Sequence, residues 1–282
     1  MNREHIGISS WAYPWAVGVA GYEQPSRPMD AFGLLEKARE LGAGVLQIED
    51  NLPLHALGPN ELDTLAAAAR GCDITLEAGT KGLSPDNLLR YLDIALRIGA
   101  RLVRTLPHDG SDRPGLEEAA ARLMKVMPEY ESNGVTLAVE NHDFYPSKWL
   151  AELMERVNGP AICPLRAAPA ARPCILGVCL DPVNNFGQGE SERDVFANLA
   201  RFTVNFHCKD YMIARKPSML GFDVEGAPLG SGRLDLKAAK TTLRPGISWV
   251  IESWTPWREN IRKTIQLEDE WARAGVGALR GV

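Results

Sequence analysis

The chain has 282 residues, 45% hydrophobic and 24% charged, a size and balance that suit one large α/β domain or two small ones. Its formal net charge of −5 carries no basic footprint of the kind nucleic-acid binders show, so no nucleic-acid partner is expected. No apolar stretch approaches the roughly 18 residues of a membrane span, so no membrane partner is expected either.

The first residues, MNREH, run straight into an apolar strand without the features of a secretory leader. Five cysteines, an odd number with no CxxC, predict free thiols in a reducing cytoplasm. Short apolar runs rich in β-branched residues predict strands at 5–12, 44–50, 74–79, 101–107, 135–141, 175–181, 203–210 and 248–254. Helical stretches lie between them. At 28–42, Leu34, Leu35, Ala38 and Leu41 recur at helical spacing. At 84–99, Ser84 is a natural N-cap, Pro85 a first helical residue, and Leu88, Leu92 and Ala95 form the stripe. Further helices are expected over 115–134, 191–202 and 257–275. Gly42, Gly99, Gly134 and Gly275 stand where helix stops belong.

Eight strands alternating with helices predict a single closed parallel (β/α)8 barrel, which at about 250 residues nearly consumes the chain. The rival, an open doubly wound sheet, usually carries a Gly-rich phosphate turn after its first strand. Here that turn is SSWAYPWAVGVAGYEQP, without GxGxxG. Two stretches look irregular. The Ala- and Pro-rich 159–174 precedes the sixth strand and is expected as a surface insertion. The Gly-rich 211–235 follows the seventh strand, on the mouth side, and is expected as a lid-like loop.

Four predicted strands end in chemistry: Glu140 in LAVENHD, Asp181 in LGVCLDPVNN, His207 in VNFHCKD and Glu252 in WVIESW. A parallel barrel opens the C-terminal ends of its strands onto one mouth, so these residues should converge. Three carboxylates and an imidazole form a hard, oxygen-rich ligand set favouring one divalent ion, Mn²⁺ or Mg²⁺, and tolerating Co²⁺ or Zn²⁺. Cys208, adjacent to His207, should face away from the site; Cys179 shares the inward face with Asp181 but sits deeper, as packing. His142, two past Glu140, can act as acid or base. Lys209 alternates with His207 and should point inward, to bind a substrate oxygen, deliver a proton or pair with a carboxylate. Asn184, Arg104, His108 and Gln47, with Glu49 and Glu77, are weaker candidates for substrate contact. So are Trp11, with Trp15, as a pocket wall, and Arg215 on the lid.

LAVENH, CLDPVN, HCKD and VIESW, in this order, resemble the sugar phosphate isomerase/epimerase family, whose members share the xylose-isomerase-like TIM barrel. The likeness runs from GISSWAYPW to the last helix. It implies metal ligands at Glu140, Asp181, His207 and Glu252, with the two glutamates also exchanging protons with a small polyhydroxy carbonyl substrate. GISSWAYPWAVGV, the NHD after Glu140 and the stretch after HCKD also look like a decarboxylating branch acting on a 3-oxo sugar acid. The family's sugar epimerases do not usually carry histidine at position 142.

The expected activity is therefore that of a metal-dependent isomerase or epimerase working through an enediolate of a keto sugar. A lyase using the same intermediate is the alternative: a 3-oxo-sugar-acid decarboxylase, a dehydratase or an enzyme cleaving 3-oxo-glycosides. A non-catalytic barrel subunit is the third reading. Trp254, Trp257 and 211–235, expected on the surface, would suit a homo-oligomer.

Overall fold

The computed structural model describes residues 1–159 and 175–282. Eight parallel strands close into a barrel: β1 (Ile6–Ser9), β2 (Val45–Ile48), β3 (Thr75–Lys81), β4 (Leu102–Leu106), β5 (Thr136–Glu140), β6 (Leu176–Leu180), β7 (Thr203–Cys208) and, after an inserted hairpin, β10 (Ser248–Ile251). Each strand pairs with its neighbours in sequence, except that β10 sits between β7 and β1 and shuts the ring. All eight predicted strands are present, shorter at their ends than the apolar runs that announced them, except that β3 runs two residues further, to Lys81.

The helices are α1 (Pro14–Val17), α2 (Ala31–Leu41), α3 (Pro59–Gly71), α4 (Pro85–Ile98), α5 (Leu116–Asn133), α6 (Ser147–Asn158), α7 (Glu192–Leu199), α8 (Leu236–Thr242) and α9 (Ile261–Arg280). Leu34, Leu35, Ala38 and Leu41 of α2, and Leu88, Leu92 and Ala95 of α4, are buried, as their spacing predicts. They pack with the outward residues of the strands, among them Ile6, Ile8, Leu46 and Ile48. Burying each large aliphatic side chain contributes roughly 1.5–3 kcal/mol. Gly42, Gly99 and Gly134 end α2, α4 and α5 in the left-handed conformation expected of them.

Several local expectations need correction. Ser84 holds the N-cap position of α4, but its side chain makes no capping bond. Gly275 does not stop a helix: α9 continues to Arg280. A Cβ at this position would lie 3.1 Å from Ile251 Cδ1, so the glycine lets the helix approach β10 closely. Trp257 is half-buried rather than displayed, its ring 5.2 Å from Trp15 and 5.4 Å from Tyr22. The supposed insertion at 159–174 lies outside the described residues, apart from Gly159, which ends α6.

The stretch after β7 is not a loop. β8 (Asp210–Arg215) and β9 (Phe222–Ala227) form a two-stranded antiparallel hairpin. Ile213 pairs with Val224 and Arg215 with Phe222, a period-2 alternation that the surrounding glycines and charges obscure in the sequence. The hairpin is anchored by Asp210. Its carboxylate accepts backbone N–H bonds from Tyr211 at 2.8 Å and from Gly230, Gly232 and Leu234 at 2.9 Å each. Gly232 is required there, since a Cβ would come within 2.2 Å of Asp210 Oδ1.

Candidate metal centre and catalytic cavity

The barrel interior is layered. Low in it, Leu102, Ala138, Cys179 and Val204 form a small apolar cluster separate from the main core. Above lies a buried polar layer. The Glu77 carboxylate accepts bonds from Ser248 Oγ (2.6 Å), Gln47 Nε2 (2.8 Å) and Asn205 Nδ2 (3.2 Å), and Asn205 also donates to Ser248 Oγ at 2.7 Å. Burial pushes the Glu77 carboxyl above the usual range, and these donors only partly offset it.

Gln47 links this layer to the next. Its amide nitrogen is spent on Glu77 and Asn205, so its oxygen faces His207 Nε2 at 2.7 Å. An amide oxygen only accepts; a neutral His207 therefore carries its hydrogen on Nε2 and presents a lone pair at Nδ1. That nitrogen is fully buried and has no hydrogen-bond partner. It stands 3.2 Å from Glu252 Oε1 and 3.4 Å from Glu140 Oε2.

Glu140, Asp181, His207 and Glu252 each bring one ligand atom to within 4.8 Å of the others, all four buried. Electron-rich atoms held face to face in a dry interior repel unless a positive charge lies among them. The residues fit a divalent cation on that ground: His207 Nδ1 is buried without a hydrogen bond, and Asp181 Oδ2 has only the Lys209 ammonium beside it. The strands position the set because Glu140 ends β5, Asp181 and Glu252 directly follow β6 and β10, and His207 is the last residue but one of β7.

Two cations flank the set. Arg104 ion-pairs through Nε with Glu140 and, at 3.1 Å, with Glu49, while its terminal nitrogen meets Asp50 at 3.0 Å. Lys209 Nζ stands 2.8 Å from both Asp181 Oδ2 and Glu252 Oε2. Burial alone would raise the Glu140 and Glu252 carboxyls. Against its burial, Cys179, Glu252 and Glu140 push the His207 ring well above its usual range, and in that charged form it joins Arg104 in holding Glu140 well below the usual range and Lys209 in taking Glu252 down to about 2. Glu49 is the opposite case: burial pushes it well above the range despite Arg104, and neither oxygen has a hydrogen-bond partner.

A cavity of about 340 Å³ opens above the set, a volume that suits a small ligand. Trp11, Arg104, His142, Asn184 and Lys209 line it, as the sequence suggested, along with Glu140 and Glu252. Asn184 donates to Glu140 Oε1 at 2.7 Å. His142 Nδ1 lies 3.2 Å from His108 Nε2, a pair at the rim. His108 is itself buried behind His142 rather than on the cavity wall.

Two expected substrate contacts are elsewhere. Gln47 is fully buried beneath His207 with its amide fully engaged. Arg215 lies on the exposed hairpin, stacked 4.4 Å over the Phe222 ring and donating to Met219 O. Asp50, Ser253, Trp254 and Thr255 also line the cavity and escaped the sequence reading. Asp50 directly follows Glu49, and Ser253, Trp254 and Thr255 directly follow Glu252, so the residues just past each strand end were the available signal.

The xylose isomerase-like TIM barrel family matches residues 35–275. The chain belongs to this family. A relative from Pectobacterium atrosepticum, 3-oxo-isoapionate decarboxylase, is 34% identical over 277 residues, covering 97% of this chain and 94% of its own. Among solved structures, D-psicose 3-epimerase in the presence of D-fructose superposes with a TM-score of 0.68 at 14% identity, covering 99% of both chains. The IolI protein with a bound zinc atom gives 0.65 at 16%, covering 97% of this chain and 98% of its own. At these identities the two structures speak for the fold alone. Among the described residues no helix is long and apolar enough to cross a membrane.

Proposed function

We propose that the chain is a metal-dependent lyase that decarboxylates a small 3-oxo sugar acid of the 3-oxo-isoapionate kind. The observation that carries this reading is His142, an imidazole on the cavity wall, backed by His108, within two residues of Glu140. It puts an imidazole, a group able to give or take a proton, beside the ligand set. The decarboxylase from Pectobacterium atrosepticum, alike along nearly its whole length, supports the substrate class.

Glu140, Asp181, His207 and Glu252 would hold the ion, and their three carboxylates suit Mn²⁺ or Mg²⁺. When bound, the ion supplies Lewis acidity toward the substrate's keto oxygen and a neighbouring hydroxyl. The chain's own groups do the rest. Lys209, paired with Asp181 and Glu252, keeps a fixed positive charge on the cavity wall for an acidic substrate. Trp11, Trp15 and Trp254 surround the cavity with aromatic surface that limits water. The bond between the carboxylate carbon and its neighbour breaks, its electron pair passes toward the keto group, and CO₂ leaves. A proton from His142 Nε2 then takes the vacated place on carbon, and solvent reloads the imidazole. His108, hydrogen-bonded at Nδ1 of His142, orients the ring for this transfer.

A second reading has its own observation. Glu140 and Glu252 approach His207 Nδ1 together, and a pair of carboxylates can remove a proton from a carbon and return it elsewhere. That is the chemistry of the isomerase or epimerase expected from the sequence. Incubation with 3-oxo sugar acids and 3-keto sugars in deuterated water, followed by mass spectrometry, separates the two. Loss of CO₂ with one deuterium gained supports the lyase; deuterium uptake with the carbon skeleton intact transfers the assignment to the isomerase. Absence of any bound cation, with Glu140→Gln and Asp181→Asn indistinguishable from wild type, would leave a non-catalytic subunit.

A further inference from the structure

Cys179 belongs to the small apolar cluster low in the barrel, yet its thiol also reaches the metal centre. In the β5–β6 register Glu140 pairs directly with Cys179, so both side chains project to the same, inward face. Asp181 lies two residues further toward the mouth. Glu140, Cys179 and His207 each offer a ligand atom within 4.8 Å of the other two, and all three residues are buried. Of the His207 nitrogens, Nε2 is engaged by Gln47, which leaves Nδ1, fully buried and without a hydrogen-bond partner, as the one free to bind. The thiol's hydrogen bond goes to Asn205 Oδ1 at 3.0 Å, and a thiol is a weak donor with little to lose.

We propose that Cys179, Glu140 and His207 form a second cation position, one level below the first, that takes thiophilic ions such as Cd²⁺ or Zn²⁺. The two positions differ in chemistry. The upper set, three carboxylates and an imidazole, favours hard ions; the lower set exchanges two carboxylates for a sulfur and favours softer ones. They share Glu140 and His207, so occupancy of one excludes the other. Cys179 is not part of the cavity wall, so an ion held there is withdrawn from substrate. Binding replaces the S–H bond by a sulfur–metal bond and releases one proton to solvent. The lower position is therefore an inhibitory trap that sorts soft ions from hard ones. It rests on the metal-centre reading through the two shared ligands.

Spectroscopy of the chelator-stripped full chain tests it. Titration with Co²⁺ should raise a near-ultraviolet thiolate-to-cobalt charge-transfer band that saturates at one equivalent, and Cd²⁺ should displace bound Mn²⁺. Cys179→Ser should lose the band and bind Cd²⁺ at least about tenfold more weakly, while its Mn²⁺ affinity stays unchanged. Cys208→Ser, whose thiol faces the outer core, should keep the band. Stoichiometric Co²⁺ binding by the wild type without a thiolate band overturns the proposal whether or not the variant folds, and leaves the metal centre standing. A band that survives in Cys179→Ser overturns it equally. Failure of the wild type to bind Mn²⁺, Co²⁺ or Cd²⁺ removes both this position and the metal-dependent function.

Discussion

Two polar layers lie one above the other inside this barrel, and they treat their hydrogen bonds in opposite ways. In the lower layer Gln47, Glu77, Asn205 and Ser248 leave no side-chain donor or acceptor unpaired. In the upper layer His207 Nδ1 and Glu49 Oε1 are buried without a hydrogen bond, while Asp181 Oδ2 and Glu49 Oε2 meet only the charges of Lys209 and Arg104. Both layers are buried, so burial alone does not explain the difference. Unpaired buried polar atoms cost about 1–3 kcal/mol each, and a fold tolerates them where another partner compensates. The lower layer builds the barrel and aims His207; the upper layer is built for something that binds.

The largest expected effect lies in the upper layer. Glu140→Gln and Asp181→Asn should each lower turnover by at least about 10³-fold, because the Lewis acid they would hold is worth several kcal/mol. Thermal melting of the chelator-stripped protein should change little. A variant that melts far lower but keeps its activity would erase the distinction between the layers.

A carboxyl outside both layers sharpens the comparison. Glu268 of α9 is buried and accepts the backbone N–H groups of Trp15 at 2.6 Å and Ala16 at 3.0 Å, with no cation beside it. Burial pushes its pKa up to about 8 from 4.5, and the two N–H bonds only partly oppose this. The folded state therefore binds the proton more tightly than the unfolded state. Its contribution to stability is fully present below about pH 4.5 and is lost as pH rises through about 8. The loss amounts to roughly 5 kcal/mol at most. Denaturant titrations across this window should show the decline, and Glu268→Gln should flatten it.

A smaller effect tests the link between the layers. Gln47→Leu removes the acceptor that sets the His207 tautomer and should weaken Mn²⁺ binding about 10–100-fold by calorimetry. Unchanged affinity would mean that His207 needs no help from below. Smallest of all, Glu77→Gln should cost about 1–2 kcal/mol in chemical denaturation, through mismatched hydrogen bonds rather than lost metal. A larger drop in metal affinity than in stability would make the lower layer part of the site.

Much of this was legible in the chain. The eight buried strands showed as apolar runs because both of their faces are covered, and the ligand residues stood out because polar groups terminate those runs abruptly. Gln47 was misjudged as a substrate contact because sequence gives the face of a strand residue and not its depth. Only the closed barrel sets its amide against His207, while the register pairs it with Glu77. The hairpin at β8 and β9 was read as a loop because its alternation is short and set among glycines, and its anchor, Asp210, bonds to residues about 20 positions away.

Local pattern, then, determined the barrel, the strand ends and the four residues of the candidate metal centre, because strand periodicity and strand order are properties of neighbouring residues. Two things waited for the closed ring. It decided which buried groups found partners and which way the His207 nitrogens point. Those depend on distances between strands that are far apart in the chain, and these come into being only when β10 pairs with β1 and the barrel shuts.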